Sequence, residues 1–281
     1  MKRIVTIQDI SGVGKCSVTI AQPIISAMGV ECAVMPTAVL STHTMFSGFT
    51  FCDLTAEMDK IADHWEREGI TFDAIYTGYL GSFEQLDIVG RFIDRFRRDE
   101  TKVVIDPVMA DHGKLYTGFT PAFAEKMAQL CQKADLVLPN LTEASFMLGK
   151  PYPTEPLTPN EVEEWLSALC AGTTKSAAIT GIGYHSGTTG VAYYDQSTST
   201  LSHYEHIQLP VNFHGTGDLF SSVTVGGMMR GLSTFDALKL AADYTAETIA
   251  YTLADPTHHT YGVQFEATIP SLLQKLQTAL A

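Results

Sequence analysis

"DISGVGKCSV", Asp9 to Val18, follows the apolar run Ile4–Ile7 and leads into an apolar helical pattern. A strand, a glycine-rich turn and a helix in that order read as the first βα unit of an α/β sheet. Phosphate-binding loops occur in the same context. A P-loop requires G-x-x-x-x-G-K-[ST], yet Asp9 stands at its first glycine and Cys16 where a hydroxyl would hold magnesium. A dinucleotide turn, G-x-G-x-x-G, fails because Gly12 and Gly14 are followed by Ser17, and Glu31 is the nearest acid to the ribose-binding position. Two readings remain: a tight turn without a ligand, or a turn in which Ser11 and Gly12 shape a small-molecule pocket.

Outward from this unit, strand and helix patterns alternate. Strands are expected at Arg3–Gln8, Glu31–Val39, Ala74–Thr77, Lys102–Asp106, Leu136–Leu138 and Ala177–Thr180, with a late β pair at Gly190–Tyr194 and Leu201–Gln208. Helices are expected at Ser17–Met28, Leu54–Glu68, Phe83–Arg98, Pro121–Lys133, Thr142–Leu148, Pro159–Ala171, Thr216–Arg230, Thr234–Leu253 and Ile269–Leu280. Short apolar runs such as VVID and LVLP suit strands covered on both faces. The pattern predicts one α/β domain over residues 1–281, with a mostly parallel sheet and right-handed crossovers. Ligands in such sheets gather beyond the carboxyl ends of the strands.

Net charge is −13 and charged residues make up only 17% of the chain. The cluster Arg91–Arg98 is interrupted by Asp94, so no sustained basic stripe offers itself to nucleic acid. Five scattered cysteines without a CxxC pair support neither a disulfide framework nor a zinc ribbon, and fit a reduced, cytoplasmic setting. The opening MKRIVTIQD is too short in apolar residues for a signal-peptide core, and no run is long enough to span a membrane. His258 and His259 lack further ligands in register and read as a solvated loop.

Three strand-exit segments carry chemistry. In "NFHGTGDLFSS", from Asn212, Gly215 and Gly217 bracket Thr216 at a helix start. Small residues there let backbone N–H groups converge as an anion hole, reinforced by the helix dipole. Asp218, in the first turn, is placed to take a proton from an alcohol. Asp is also an ordinary first-turn residue. "PNLTE" puts Asn140 and Glu143 on one helix face, suited to magnesium through water, or to a plain helix start capped by Thr142. Asp106 leaves a buried strand in "VVIDPVMAD", with Pro107 holding the exit extended.

Taken in order, QDISGVGKCSV, VLSTHTMFSG, YTGYLGS, VVIDPVMADHGKLY, VLPNLTEASFMLG, AITGIG and HGTGDLFSS resemble the ribokinase-like superfamily of small-molecule kinases, and within it the pyridoxal kinases. The likeness runs through nearly the whole chain. It implies a three-layer α/β/α fold without a separate lid domain, since no inserted lid segment is found. It implies ATP, Mg2+ and a monovalent cation (K+ or Na+) as cofactors, and pyridoxal, pyridoxine or pyridoxamine as phosphate acceptor. A homodimer is implied, with neither nucleic acid nor membrane as partner. The resemblance assigns Asp218 as base and Gly215, Thr216 and Gly217 as anion hole. Ser11, His43, Thr44 and Tyr79 would contact the vitamer. Asp106, Asp111, Asn140, Glu143, Thr180 and Gly181 would serve ATP, with Asp106 and Glu143 at the metal. Asp111 to Thr117 resembles a flap hinged at Gly113. A hydroxymethylpyrimidine or other small-molecule kinase, and a non-catalytic vitamin B6-binding protein, stand as alternatives.

Overall fold

The computed structural model describes residues 1–281 except 171, 173 and 212. The C-terminal residue expected for one helix, Ala171, and Asn212 of the HGTGD segment therefore lie outside the described residues. The chain has a mostly parallel central sheet with helices on both sides. It divides into two compact units, Met1–Ala74 with Leu209–Ala281, and Ile75–Gln208.

In the first unit, β1 (Arg3–Val13) pairs in parallel with β2 (Glu31–Thr42), and β3 (Phe51–Asp53) adds antiparallel to the outside of β2. Ile4, Val5 and Ile7 of β1 are wholly buried. Each such side chain removed from water stabilises the fold by about 1.5–3 kcal/mol. Helix α1 (Val18–Ala27) packs on β1, β2 and α7 (Thr216–Arg230). Helix α7 packs in turn on α8 (Thr234–Ala254), and α8 on α9 (Phe265–Leu280). Helix α2 (Thr55–Arg67) covers β2. Gly226 of α7 lies against the Met28 side chain, so a larger residue there would push the two segments apart.

The second unit has the strand order β11 (Thr200–Ile207), β10 (Thr188–Asp195), β9 (Ser176–Thr180), β8 (Leu136–Val137), β5 (Lys102–Ile105), β4 (Ala74–Thr77). β10 is antiparallel to both of its neighbours, as expected for the late pair. Helices α3 (Phe83–Phe96), α4 (Pro121–Cys131), α5 (Leu141–Leu148) and α6 (Pro159–Leu169) follow one another by contact, and α6 lies on β9 and β10. A separate hairpin joins β6 (Ala110–Asp111) to β7 (Lys114–Leu115).

The structure corrects several expected boundaries. β1 does not stop at Gln8. A bulge between Gln8 and Ile10 resets its register with β2, and Ser11 and Gly12 continue the strand. The bulge is a local kink that turns the last residues of β1. β2 likewise runs past Val39 to Thr42. β3 and the β6–β7 hairpin were not foreseen, since two or three residues carry too little periodicity to register. Helix α9 starts at Phe265, four residues before Ile269, with Pro270 inside it.

Candidate active site

The sequence-assigned residues divide between the two units. In the first unit the site grows from the β1–α1 turn and the start of α7. Asp9 and Ser11 are buried, and the Ser11 hydroxyl donates to Asp9 Oδ2 at 3.2 Å. Ser17, the residue before α1, has φ 49° and ψ −131°, a conformation that side chains rarely adopt. Its polar groups lower the pKa of both the Asp9 and the Asp218 carboxyl against the effect of burial.

Gly215 caps α7 in the left-handed region at φ 78°. A Cβ there would overlap the Lys15 carbonyl oxygen and stand 2.6 Å from Ile20 Cδ1, so the close crossing with the β1–α1 turn requires glycine. Among the described residues no side chain caps this helix, so its first N–H groups have no capping acceptor. Gly217 has open space around its Cα. The Thr216 hydroxyl is turned back to the Phe213 carbonyl at 3.1 Å. Asp218 follows within the same first turn. It keeps some contact with solvent, yet burial pushes its pKa up to about 7. The Ser17 N–H opposes that rise and the negative Asp9 adds to it. Burial also raises the Asp9 pKa, against hydrogen bonds from Ser17 and Ser11 and the attraction of His43. Cys16 sits among the same groups. Burial and then the Asp218 and Asp9 charges push its thiol up to about 12, so it stays protonated and unreactive.

His43 is buried against Gly14, whose φ of 108° brings the backbone to the imidazole ring. Its Nδ1 accepts the Met45 N–H at 3.3 Å, which leaves Nε2 to donate to the Tyr261 carbonyl at 2.9 Å. One ring face stacks with His214, centroids 5.0 Å apart, and Phe46 leans on it at 5.1 Å. The imidazole thus presents a wall, with both nitrogens engaged inside the chain. Thr44 is exposed on the turn beside it.

In the second unit the cluster forms at the exits of β5 and β9 and the start of α5. Asn140 caps α5, and its Oδ1 accepts the Glu143 N–H at 2.9 Å while Glu143 Oε2 accepts the Asn140 N–H at 2.8 Å. This is a capping box, so Asn140 takes the capping place considered for Thr142. The Thr142 hydroxyl instead accepts the Gly113 N–H at 3.0 Å. Glu143 is 3% exposed, and its Oε1 accepts the Met109 N–H at 3.0 Å. Burial, then the buried Asp106 carboxylate at the β5 exit, hold the Glu143 pKa well above the usual range, against backbone donors at Asn140, Met109 and Ala110. Thr180 bridges to Asn140 in parallel, and Gly181 turns the chain at φ 81°.

The segment expected to be a flap is a tight hairpin. His112 and Gly113, at φ 50° and 76°, make its two-residue turn. Asn140 Nδ2 donates to the Ala110 carbonyl at 2.8 Å and Thr142 holds Gly113, so two residues of the α5 start tie the hairpin down. Asp111 is exposed on it and accepts the His112 N–H at 2.8 Å. Tyr79 packs its ring on Phe119, centroids 5.6 Å apart.

Sequence reasoning missed Asp9 and Ser17. The acid just beyond the apolar run Ile4–Ile7, after Gln8, was a usable signal, because a carboxylate in a buried strand needs a reason to be there. Nothing in the sequence announces the Ser17 backbone conformation.

The whole chain resembles solved and curated proteins. A pyridoxal kinase from Lactobacillus plantarum shares 30% identity and a TM-score of 0.89, over 98% of this chain and 97% of that one. A candidate phosphomethylpyrimidine kinase from Bacteroides thetaiotaomicron, in a crystal form with pyridoxal, shares 38% identity and a TM-score of 0.92, over 96% and 95%. The pyridoxine/pyridoxal/pyridoxamine kinase of Bordetella avium is 28% identical, over 90% of this chain and 86% of its own. These likenesses bear out the resemblance read from the seven sequence blocks. The phosphomethylpyrimidine kinase profile matches residues 24–262, and the chain belongs to that family of phosphotransferases.

Proposed function

We propose that this protein is an ATP-dependent vitamin B6 kinase. It phosphorylates the 5′-hydroxymethyl group of pyridoxal, and of pyridoxine and pyridoxamine, and yields pyridoxal 5′-phosphate from pyridoxal for salvage. Residues 1–281 act as one kinase domain, in the cytoplasm and as a homodimer. The observation that carries the reading is Asp218: a carboxylate in the first turn of an uncapped helix, with its pKa pushed up to about 7. Such a group accepts a proton efficiently near neutral pH.

Asp218 takes the proton of the 5′-hydroxyl as that oxygen attacks the γ-phosphorus. The bond from γ-phosphorus to the β–γ bridging oxygen breaks, and ADP leaves with the electron pair. Backbone N–H groups at Gly215, Thr216 and Gly217, with the α7 dipole, stabilise charge on the transferring phosphoryl oxygens. Ser11, Thr44 and Tyr79 contact the vitamer, and His43 walls it. Asn140, Thr180, Gly181 and Asp111 serve ATP.

Asp106 and Glu143 fit magnesium, because two buried carboxylates repel one another and offer hard oxygen donors. Glu143 already accepts backbone N–H groups, so it would hold the ion through water. Bound magnesium would neutralise charge on the ATP phosphates. K+ or Na+ is the further ion that the family likeness suggests.

Asp218→Ala tests the base. Turnover should fall by roughly 10²–10⁴ while ATP and pyridoxal still bind. Normal turnover in that variant would end the reading. The family match by itself favours hydroxymethylpyrimidine as a second acceptor. ADP formed with that pyrimidine and not with pyridoxal would select it.

A further inference from the structure

One loop of the first unit has no part in the mechanism above. Residues 255–262 lie between α8 and α9 and carry the His258–His259 pair that the sequence marks as solvated. Pro256, Thr257, His259 and Thr260 are exposed, yet the loop is pinned in place. Asp255 Oδ1 accepts the Thr257 N–H at 2.8 Å and the Thr257 hydroxyl at 2.7 Å, and its Oδ2 accepts from Gln264 Nε2 at 2.8 Å. The His258 ring packs edge-on with Phe213, centroids 5.6 Å apart. A Cβ on Gly262 would stand 2.5 Å from Lys15 Cβ, so the loop runs close against the β1–α1 turn. Tyr261 reaches the His43 wall in two ways. Its carbonyl accepts the His43 Nε2–H at 2.9 Å. Its ring leans on Phe46 at 5.5 Å, and Phe46 leans on His43 at 5.1 Å. His259 stacks on Tyr261 at 4.7 Å, and His214 stacks on His43 at 5.0 Å. Five rings thus form one unbroken run that ends beside Gly215.

We propose that Tyr261 is a positioning residue for the acceptor site: through it, the 255–262 loop fixes the His43 wall against which the flat ring of the acceptor is set. This rests on His43 walling the acceptor pocket. An imidazole on a turn keeps one orientation only if its edge and its faces are both held. Met45 and Phe46 hold His43 from within the same turn, so they would move with it. Tyr261 is 218 residues away in the chain and ties that turn to the loop before α9. The Lys15 N–H points at the same Tyr261 carbonyl at 3.5 Å, so the β1–α1 turn is drawn into the same anchor. A wall ordered before the acceptor arrives spares the cost of ordering it on binding. The contribution of Tyr261 therefore falls on acceptor affinity and not on the transfer step. Its side chain is held through ring contacts, so Tyr261→Phe retains them and Tyr261→Leu does not.

The test is steady-state kinetics of the full-length protein with pyridoxal and magnesium-ATP, for wild type, Tyr261→Leu and Tyr261→Phe. Tyr261→Leu should raise KM for pyridoxal by about three- to tenfold, the loss expected for an aromatic pair. Its kcat and its KM for ATP should stay within about twofold of wild type, the pattern of lost ground-state binding. Tyr261→Phe should restore the wild-type KM for pyridoxal. An unchanged KM for pyridoxal in Tyr261→Leu would overturn the proposal. So would a variant in which kcat and both KM values worsen together, the mark of a loop that is only structural. Should Tyr261→Leu not fold, Phe46→Leu deletes the same Phe46–Tyr261 contact from the other side, and its split between the two KM values decides instead. Failure of the function reading is separate, because wild type would then form no ADP with pyridoxal. If wild type forms ADP with hydroxymethylpyrimidine instead, the same split is read with that flat acceptor.

Discussion

Asp218 should make the protein less stable where it is most active. Unfolded, its carboxyl has an ordinary pKa of 3.8, and folded it is raised to about 7. A group raised on folding contributes stability that is fully present below the unfolded pKa. That contribution is lost as pH rises through the folded value. From pH 5 to pH 8 the loss covers about two pH units, or roughly 2–3 kcal/mol at about 1.4 kcal/mol per unit. Partial solvent contact reduces this, so about 1–2 kcal/mol is the working figure. Asp218→Asn cannot titrate. Its stability relative to wild type should therefore improve by that amount between pH 5 and pH 8, even as turnover collapses. Urea unfolding of both proteins at the two pH values measures the difference. A stability difference that is the same at pH 5 and pH 8 would refute the reasoning, since it would mean that Asp218 titrates in the fold as it does in the open chain.

Other perturbations separate structure from chemistry. Gly215→Ala should destabilise the protein by more than about 1 kcal/mol, measured by urea unfolding, because its φ of 78° and the Lys15 carbonyl both exclude a Cβ. Gly217→Ala meets nothing within 4 Å, so it should leave stability within about 0.5 kcal/mol and expose only the anion hole's tolerance in kcat. Glu143→Ala strips acceptors from the Asn140 and Met109 N–H groups and should cost about 2–4 kcal/mol of unfolding free energy. Burial and Asp106 favour the protonated form of Glu143, so at the proposed metal site protons would compete with magnesium. Its apparent affinity, from the metal dependence of turnover, should therefore strengthen as pH rises.

The sequence was legible where periodicity or spacing carries the information. Buried strands such as Val103–Ile105 and the helix start after Gly215 followed from apolar runs and glycine placement. The likeness of seven blocks in order led to the family. What escaped was conformation that no residue type announces. The β1 bulge carries Ser11 onto the strand where a turn was expected. Ser17 takes a backbone angle more typical of glycine. The Asn140–Glu143 pair shows one spacing serving two readings, since the arrangement expected of a metal site is also a complete capping box. His43 was expected to contact the vitamer; hydrogen bonds to the neighbouring Met45 and to Tyr261, distant in the chain, employ both its nitrogens.

The most direct measurement is ADP release by the purified protein with magnesium-ATP, offered pyridoxal, hydroxymethylpyrimidine and ribose separately. The account predicts ADP with pyridoxal, none with ribose, and loss of the pyridoxal signal in Asp218→Ala. ADP release absent with pyridoxal, or undiminished in Asp218→Ala, would contradict it.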